Sequence, residues 1–271
     1  MAARLSTVEL AQLCEAGEGE GWLAITQHAP PAREHIMERH GSIYFTLARK
    51  NNHSHFNRVF GLGLGEPASK ANVDQYISRF NSAGVANFAV QIIPAAEPAA
   101  LPAWLESWGL RPREVSALVY RRPDAQVSVP TALSIRRVEP EQAAAFAQIV
   151  MAVFGASPDY LGMFMQMVGL PDSHHYMAWD GDQPVATGSL LVKDGIGWLV
   201  AGATASSHRQ RGAQGAIMAQ RIRMGAALGC EWLVTDTELA GPDQPNSSLR
   251  NMLRTGFQIA CYRQTYLSMP H

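Results

Sequence analysis

Cysteine is scarce: Cys14, Cys230 and Cys261 are the only three in 271 residues. Their odd number and wide spacing, with no C-x-x-C pair, suggest neither a disulfide scaffold nor a zinc site. No metal is expected, and a reducing cytoplasm is the simplest home. An excess of either charge is lacking too, with 22 Lys plus Arg against 23 Asp plus Glu. Such a chain has no global field to draw nucleic acid or an anionic membrane, so any anion site must be local, which suits a small, specific ligand. There is also no uncharged apolar run of about 18 residues, so no membrane span is expected. The opening stretch MAARLSTVELAQLCEAG has acidic and apolar residues at helical spacing and no secretory-signal core, and reads as a first helix.

What is present is enough apolar residue, 47%, for one large or two ordinary domains. The segment RRPDAQVSVP, between Tyr120 and Thr131, carries two prolines and no helical or strand period. It divides the chain into domains 1–122 and 131–271. On its N-terminal side Ala71 to Ala83 reads as a helix, Phe88 to Ile93 as a strand, Pro98 to Trp108 as a helix and Val115 to Tyr120 as a strand. The C-terminal side repeats that order, with helix Ala213 to Leu228, strand Trp232 to Asp236, helix Ser247 to Thr255 and a closing Phe257 to Leu267. Upstream lie a strand over Leu133 to Val138, a helix over Glu141 to Phe154, a hairpin around Asp180-Gly181-Asp182, and a strand over Gly197 to Thr204. The matching joints Trp108-Gly109-Leu110 and Thr255-Gly256-Phe257 suggest an ancient duplication.

The most informative stretch is WLVAGATASSHRQRGAQGAIMAQRIRMGAAL, from Trp198 to Leu228. An apolar strand turns through Arg209, Gln210, Arg211 and Gly212 into a long helix. Backbone N–H groups and the positive end of the helix dipole then converge where phosphate is the natural ligand. Arg209-x-x-Gly212 with Ala213 resembles the coenzyme A pyrophosphate loop of the GNAT superfamily of N-acetyltransferases, whose pattern is Arg/Gln-x-x-Gly-x-Gly/Ala. Gln214 stands where that pattern has Gly or Ala. By contrast, Gly61-Leu62-Gly63-Leu64-Gly65 fails the dinucleotide pattern, since its third glycine would fall at Glu66 before Pro67. The first half offers no Arg-x-x-Gly, and reads as a degenerate repeat.

The resemblance implies tandem GNAT-like α/β (α+β) domains, each a mixed, largely antiparallel sheet flanked by helices, with acetyl-CoA as cosubstrate held by the second. N–H groups from Arg211 to Gly215, including those of Ala213 and Gln214, would cradle the pyrophosphate, and Arg209 and Arg211 would neutralise it. The strand before the turn would splay from its neighbour, so that Gly202, Ala203 and Thr204 hold the pantetheine and polarise the thioester. Asn246 stands where the family often has an asparagine on the pantetheine arm, and reads equally as a helix N-cap. The expected reaction moves an acetyl group to a primary amine of a small molecule or peptide; the alternative is a non-catalytic acyl-CoA sensor. A protonated alkylamine needs a base, for which Asp236 is preferred over Glu238, His174 and His175. Many relatives place an acidic tyrosine four residues before the Gly-Phe joint, where this chain has Met252. Tyr262, or Tyr266, is the substitute considered. The Met163, Met165, Met167 run reads as a hydrophobic helix or an acceptor pocket.

Overall fold

A computed structural model describes residues 5–28, 34–239 and 246–268; the start of the opening helix as read, residues 1–4, lies outside them. The chain forms two compact units, and their boundaries cut across the sequence. The first contains residues 1–119, 236–246 and 259–271, the second 120–235 and 247–258. The first change of unit, at Val119, lies beside the linker read from sequence. However, the closing strand assigned above to the second domain belongs to the first unit. A return path of that kind is invisible to local composition.

In the first unit, α1 (Thr7–Gln27) starts at Ser6, whose hydroxyl accepts the Glu9 N–H while Glu9 reaches back, a reciprocal capping box. β1 (His35–His40), β2 (Ile43–Ala48) and β3 (Arg58–Phe60) make an antiparallel run. α2 (Lys70–Ser82) then crosses over to β4 (Ala89–Ile92), which lies parallel to β3. After α3 (Leu101–Ser107) and β5 (Arg111–Arg121), the C-terminal strand β11 (Gln258–Leu267) inserts antiparallel beside β4, giving the order β1-β2-β3-β4-β11-β5. The core gathers Phe45, Val59, Ile77, Phe80, Leu105 and, from β11, Tyr266.

The second unit repeats this plan. β6 (Ser134–Arg137), β7 (Ser173–Asp180), β8 (Gln183–Lys193) and β9 (Ile196–Thr204) form an antiparallel run. α6 (Ala213–Ala227) crosses over to β10 (Trp232–Leu239), parallel to β9. Residues 185–191 of β8 are buried without alternation, because α4 (Ala143–Phe154) and α6 both pack on β8 and β9. The methionine run forms α5 (Leu161–Met167), and α7 (Ser247–Arg254) precedes β11. Met163 and Met167 are buried, matching the packing helix read from the sequence. No helix among the described residues is long and apolar enough to cross a membrane.

Candidate functional site

The two crossovers differ where each helix begins. α2 is capped by Ser69, whose hydroxyl accepts the Asn72 N–H at 3.1 Å. Its glycine loop is also filled: Gly63 O accepts the Glu97 N–H at 2.9 Å, and Glu97 O occupies the place of a Gly63 Cβ. α6 instead begins at Gly212 (φ 82°, ψ 0°) with no side-chain cap, so no side chain takes up its first-turn N–H groups. That left-handed geometry favours glycine, and a Cβ there would stand 3.1 Å from Pro130 O. Gln210, at φ 64°, contributes to the same tight turn.

The linker fixes this turn. Thr131 Oγ1 donates to Arg211 O at 2.9 Å, and a Cβ on Gly215 would meet Val129 at 2.9 Å. Arg211 is held by a forked pair with Asp180 Oδ2 and Oδ1 at 2.6 and 3.2 Å, on the β7–β8 hairpin. This hydrogen bonding also holds the Asp180 carboxyl below its ordinary range. Of the two arginines expected to neutralise the pyrophosphate, Arg211 is engaged by Asp180, while Arg209 is exposed with no carboxylate partner among the described residues. Gln214, the departure from the family pattern, turns its side chain onto the sheet. Its amide donates to Ala203 O at 2.7 Å, Thr204 Oγ1 at 3.0 Å and Thr187 O at 3.1 Å, pinning the start of α6 to the end of β9.

β9 and β10 pair only from Ile196↔Trp232 to Trp198↔Val234, although β9 runs on to Thr204. Thr235 Oγ1 donates to Leu199 O at 2.8 Å where the pairing stops. Beyond it, β9 bulges against β8: Ala201 takes φ 54° and the register shifts between Thr187 and Ser189. Thr187 Oγ1 secures the bulge by donating to Ala201 O at 2.8 Å. Since Ala205 N–H donates to Val185 O, strand alternation directs the Ala203 N–H toward β8 and the Thr204 N–H toward the free edge. Gly202 lies exposed within the bulge.

Arg221, on α6, pairs with no carboxylate among the described residues. It is 3% exposed, and donates from Nη1 to Ser189 O and Val200 O at 3.2 and 3.3 Å. Burial pushes its guanidinium down to about 9. Among the histidines, His175 is core: its ring nitrogens meet Ser189 Oγ and Ser173 Oγ at 2.7 and 2.9 Å, and burial lowers it to about 4. Met252 is buried and supplies no acid.

Asp236, Asn246 and Tyr262 fall in the first unit. The Asn246 amide donates to Thr237 Oγ1 at 3.1 Å and Glu238 O at 2.5 Å, tying the chain back to β10. Tyr262 is half-buried. Asp236 Oδ2 accepts from Arg263 Nη2 at 3.3 Å, at the edge of a buried ion cluster. Arg263 also donates to Glu18 Oε2 at 2.7 Å and Glu15 Oε2 at 3.2 Å, and Arg58 donates to Glu18 Oε1 at 2.6 Å. Three carboxylates thus face two guanidinium groups. Desolvation raises Asp236 above its ordinary range, and the charge of Glu18 adds to the effect. Asp236 is therefore anchored inside a structural network.

Glu15 is the acid of this cluster whose surroundings most favour the protonated form. Its Oε1 has no hydrogen-bond partner, and burial pushes the carboxyl from 4.5 up to about 7. Between these values the folded chain keeps a proton that the unfolded chain has lost, so stability falls as pH rises through that window. Glu15→Gln removes the loss. Urea unfolding at pH 5 and pH 8 should show the variant gaining on the parent by about 1–3 kcal/mol over that interval. A difference that does not change with pH would place the proton elsewhere.

No family model matches the sequence, and no curated protein matches it. Solved structures do match in fold. A GCN5-related N-acetyltransferase from Kribbella flavida superposes with TM-score 0.62 at 17% identity, over 92% of this chain and 95% of its own. One from Sphaerobacter thermophilus gives 0.60 at 15% identity, over 96% and 90%. A tandem GNAT protein from the clavulanic acid biosynthesis pathway gives 0.60 at 11% identity, over 97% and 94%. The fold of this chain, a mixed and mostly antiparallel α/β arrangement repeated in two units, is that of the tandem GNAT acetyltransferases.

Proposed function

We propose that the chain is an acyl-CoA-dependent N-acyltransferase, with acetyl-CoA bound by the second unit. The observation that carries this reading is the start of α6: an uncapped helix N-terminus at a left-handed glycine, next to exposed Arg209, directly after a strand that leaves its parallel partner. Such a cradle suits a pyrophosphate. Gly212, Ala213, Gln214 and Gly215 would hold it by their N–H groups, and Arg209 would add charge. Gly202 and Thr204 lie along the β9 edge that would face the pantetheine and thioester. Bound acetyl-CoA would supply the acetyl group: an amine nitrogen bonds to the thioester carbonyl carbon, the C–S bond breaks with its electron pair going to the coenzyme thiolate, and the proton lost from nitrogen passes to water or to that thiolate.

A non-catalytic acyl-CoA sensor is the second reading, favoured by buried Met252 in place of the usual acid and by Asp236 being tied to Arg263. Loss of an assisting acid slows thiolate departure by about 100-fold without forbidding it, because a thiol near pKa ~8.5 leaves tolerably. The acceptor proposed is a primary amine of a small molecule or peptide, and the setting a reducing cytoplasm. Release of free thiol from acetyl-CoA over a panel of amines, amino acids, polyamines and aminoglycosides tests the enzyme reading. Acceptor-dependent release is expected; tight coenzyme binding with no release across the panel would favour the sensor.

A further inference from the structure

Arg221 lies against two glycines on neighbouring strands. A Cβ on Gly188 of β8 would stand 3.0 Å from its Cζ, and a Cβ on Gly202 of β9 would stand 3.9 Å from its Nη2. These residues mark the bulge, since Gly188 lies between Thr187, paired with Ala203, and Ser189, paired with Val200. Two β9 residues, Ala201 and Gly202, therefore face one on β8. A bulge releases ladder carbonyls from regular pairing. Here Ser189 O and Val200 O, one on each strand, are both taken by Arg221 Nη1. Among the described residues Arg221 Nε has no hydrogen-bond partner and no carboxylate pairs with the side chain.

That arrangement is costly for a merely structural residue. An uncompensated cation, 3% exposed, is retained where a neutral donor would satisfy the same two carbonyls. Its position coincides with the part of β9 that presents backbone donors. We infer that Arg221 is a positioning residue for thioester polarisation: it locks the β9 bulge and sets a fixed positive charge behind Gly202, strengthening the donors that face the carbonyl oxygen. Preorganised charge in a water-poor site needs no reorganisation when negative charge develops on that oxygen. The inference rests on the acyl-CoA reading of the second unit.

The test is infrared difference spectroscopy of acetyl-CoA labelled with 13C at the thioester carbonyl, bound to the full chain, with coenzyme A affinity measured separately by calorimetry. In the parent protein the carbonyl stretch should move to lower wavenumber on binding. Arg221→Met should lose most of that displacement while coenzyme A affinity stays within about threefold, and acetyl-CoA thiol release should fall at least about tenfold. Arg221→Lys, which keeps the charge, should retain more of the displacement than Arg221→Met and serves where methionine unsettles the fold. Equal displacement in the parent and both variants, or equal loss in lysine and methionine, would overturn the role given to the charge. Failure of the parent to bind coenzyme A would instead overturn the acyl-CoA reading itself.

Discussion

Arg263→Met is expected to destabilise the protein by about 3–5 kcal/mol at neutral pH, the usual cost of removing one partner from a buried ion cluster. Arg263 is fully buried and bonds to Glu15, Glu18 and Asp236 at once. Without it, three acids share Arg58 alone, in a region where Glu15 and Glu18 are 2% and 3% exposed. Charged carboxylates so placed must take up protons or draw in water. The defect should therefore shrink as pH falls and the acids protonate. Guanidinium unfolding at pH 7 and pH 5 measures both quantities. A loss below about 1 kcal/mol at pH 7 would mean the acids are hydrated in solution. Adding Glu15→Gln and Glu18→Gln to Arg263→Met should restore part of the lost stability, because the repulsion goes with the charges.

On the proposed acyl-CoA reading, Arg209→Glu should weaken coenzyme A binding by about 2–4 kcal/mol, roughly 30- to 1000-fold, because a charge-assisted contact would be replaced by repulsion of the pyrophosphate. Arg209 is exposed and has no carboxylate partner among the described residues, so the change leaves packing alone. Gly212→Glu should remove binding as well, but less cleanly. At φ 82°, with Pro130 O 3.1 Å from the Cβ position, any side chain there adds strain of about 1–2 kcal/mol. Calorimetry on both variants, with thermal unfolding alongside, separates loss of the site from loss of the fold. Undiminished affinity in Arg209→Glu would remove the loop's guanidinium from the site, and undiminished affinity in both would remove the phosphate-loop assignment.

The legible parts of this molecule were those whose signals are local. Gly212 between Arg211 and Ala213, Gly229 after α6 and Gly256 before Phe257 punctuate the chain, and the elements around them fall within a few residues of their expected bounds. β1, β2 and β3 went unread, although the IYFTLA run of β2 is largely buried and its aromatic and β-branched residues were a usable signal. The buried acids were harder. Glu15 and Glu18 on a surface-length helix look solvated until Arg58 and Arg263 arrive from distant strands, and a contact between residues 18 and 263 leaves no trace in either neighbourhood. Asp180 was seen only as a turn former, yet it restrains Arg211. RRPDAQVSVP read as a bare linker, but its end at Val129 and Pro130, with Thr131 beyond, packs on the turn before α6. Arg221 lies buried on α6 among Ile217, Met218 and Ile222. What sequence could not supply was the bulge that gives it a place.

The first unit takes strand β11 from the far end of the chain. On a ribosome, synthesis proceeds from the N-terminus, and domains commonly fold as they emerge. Here the order is inverted. The second unit has all its segments by Gln258, whereas the first lacks both its strand and the guanidinium that bonds to Glu15 and Glu18 until residue 263 is made. The N-terminal half must therefore be completed last, and a chain stopped anywhere short of β11 leaves the earlier-made half with open strand edges on both β4 and β5.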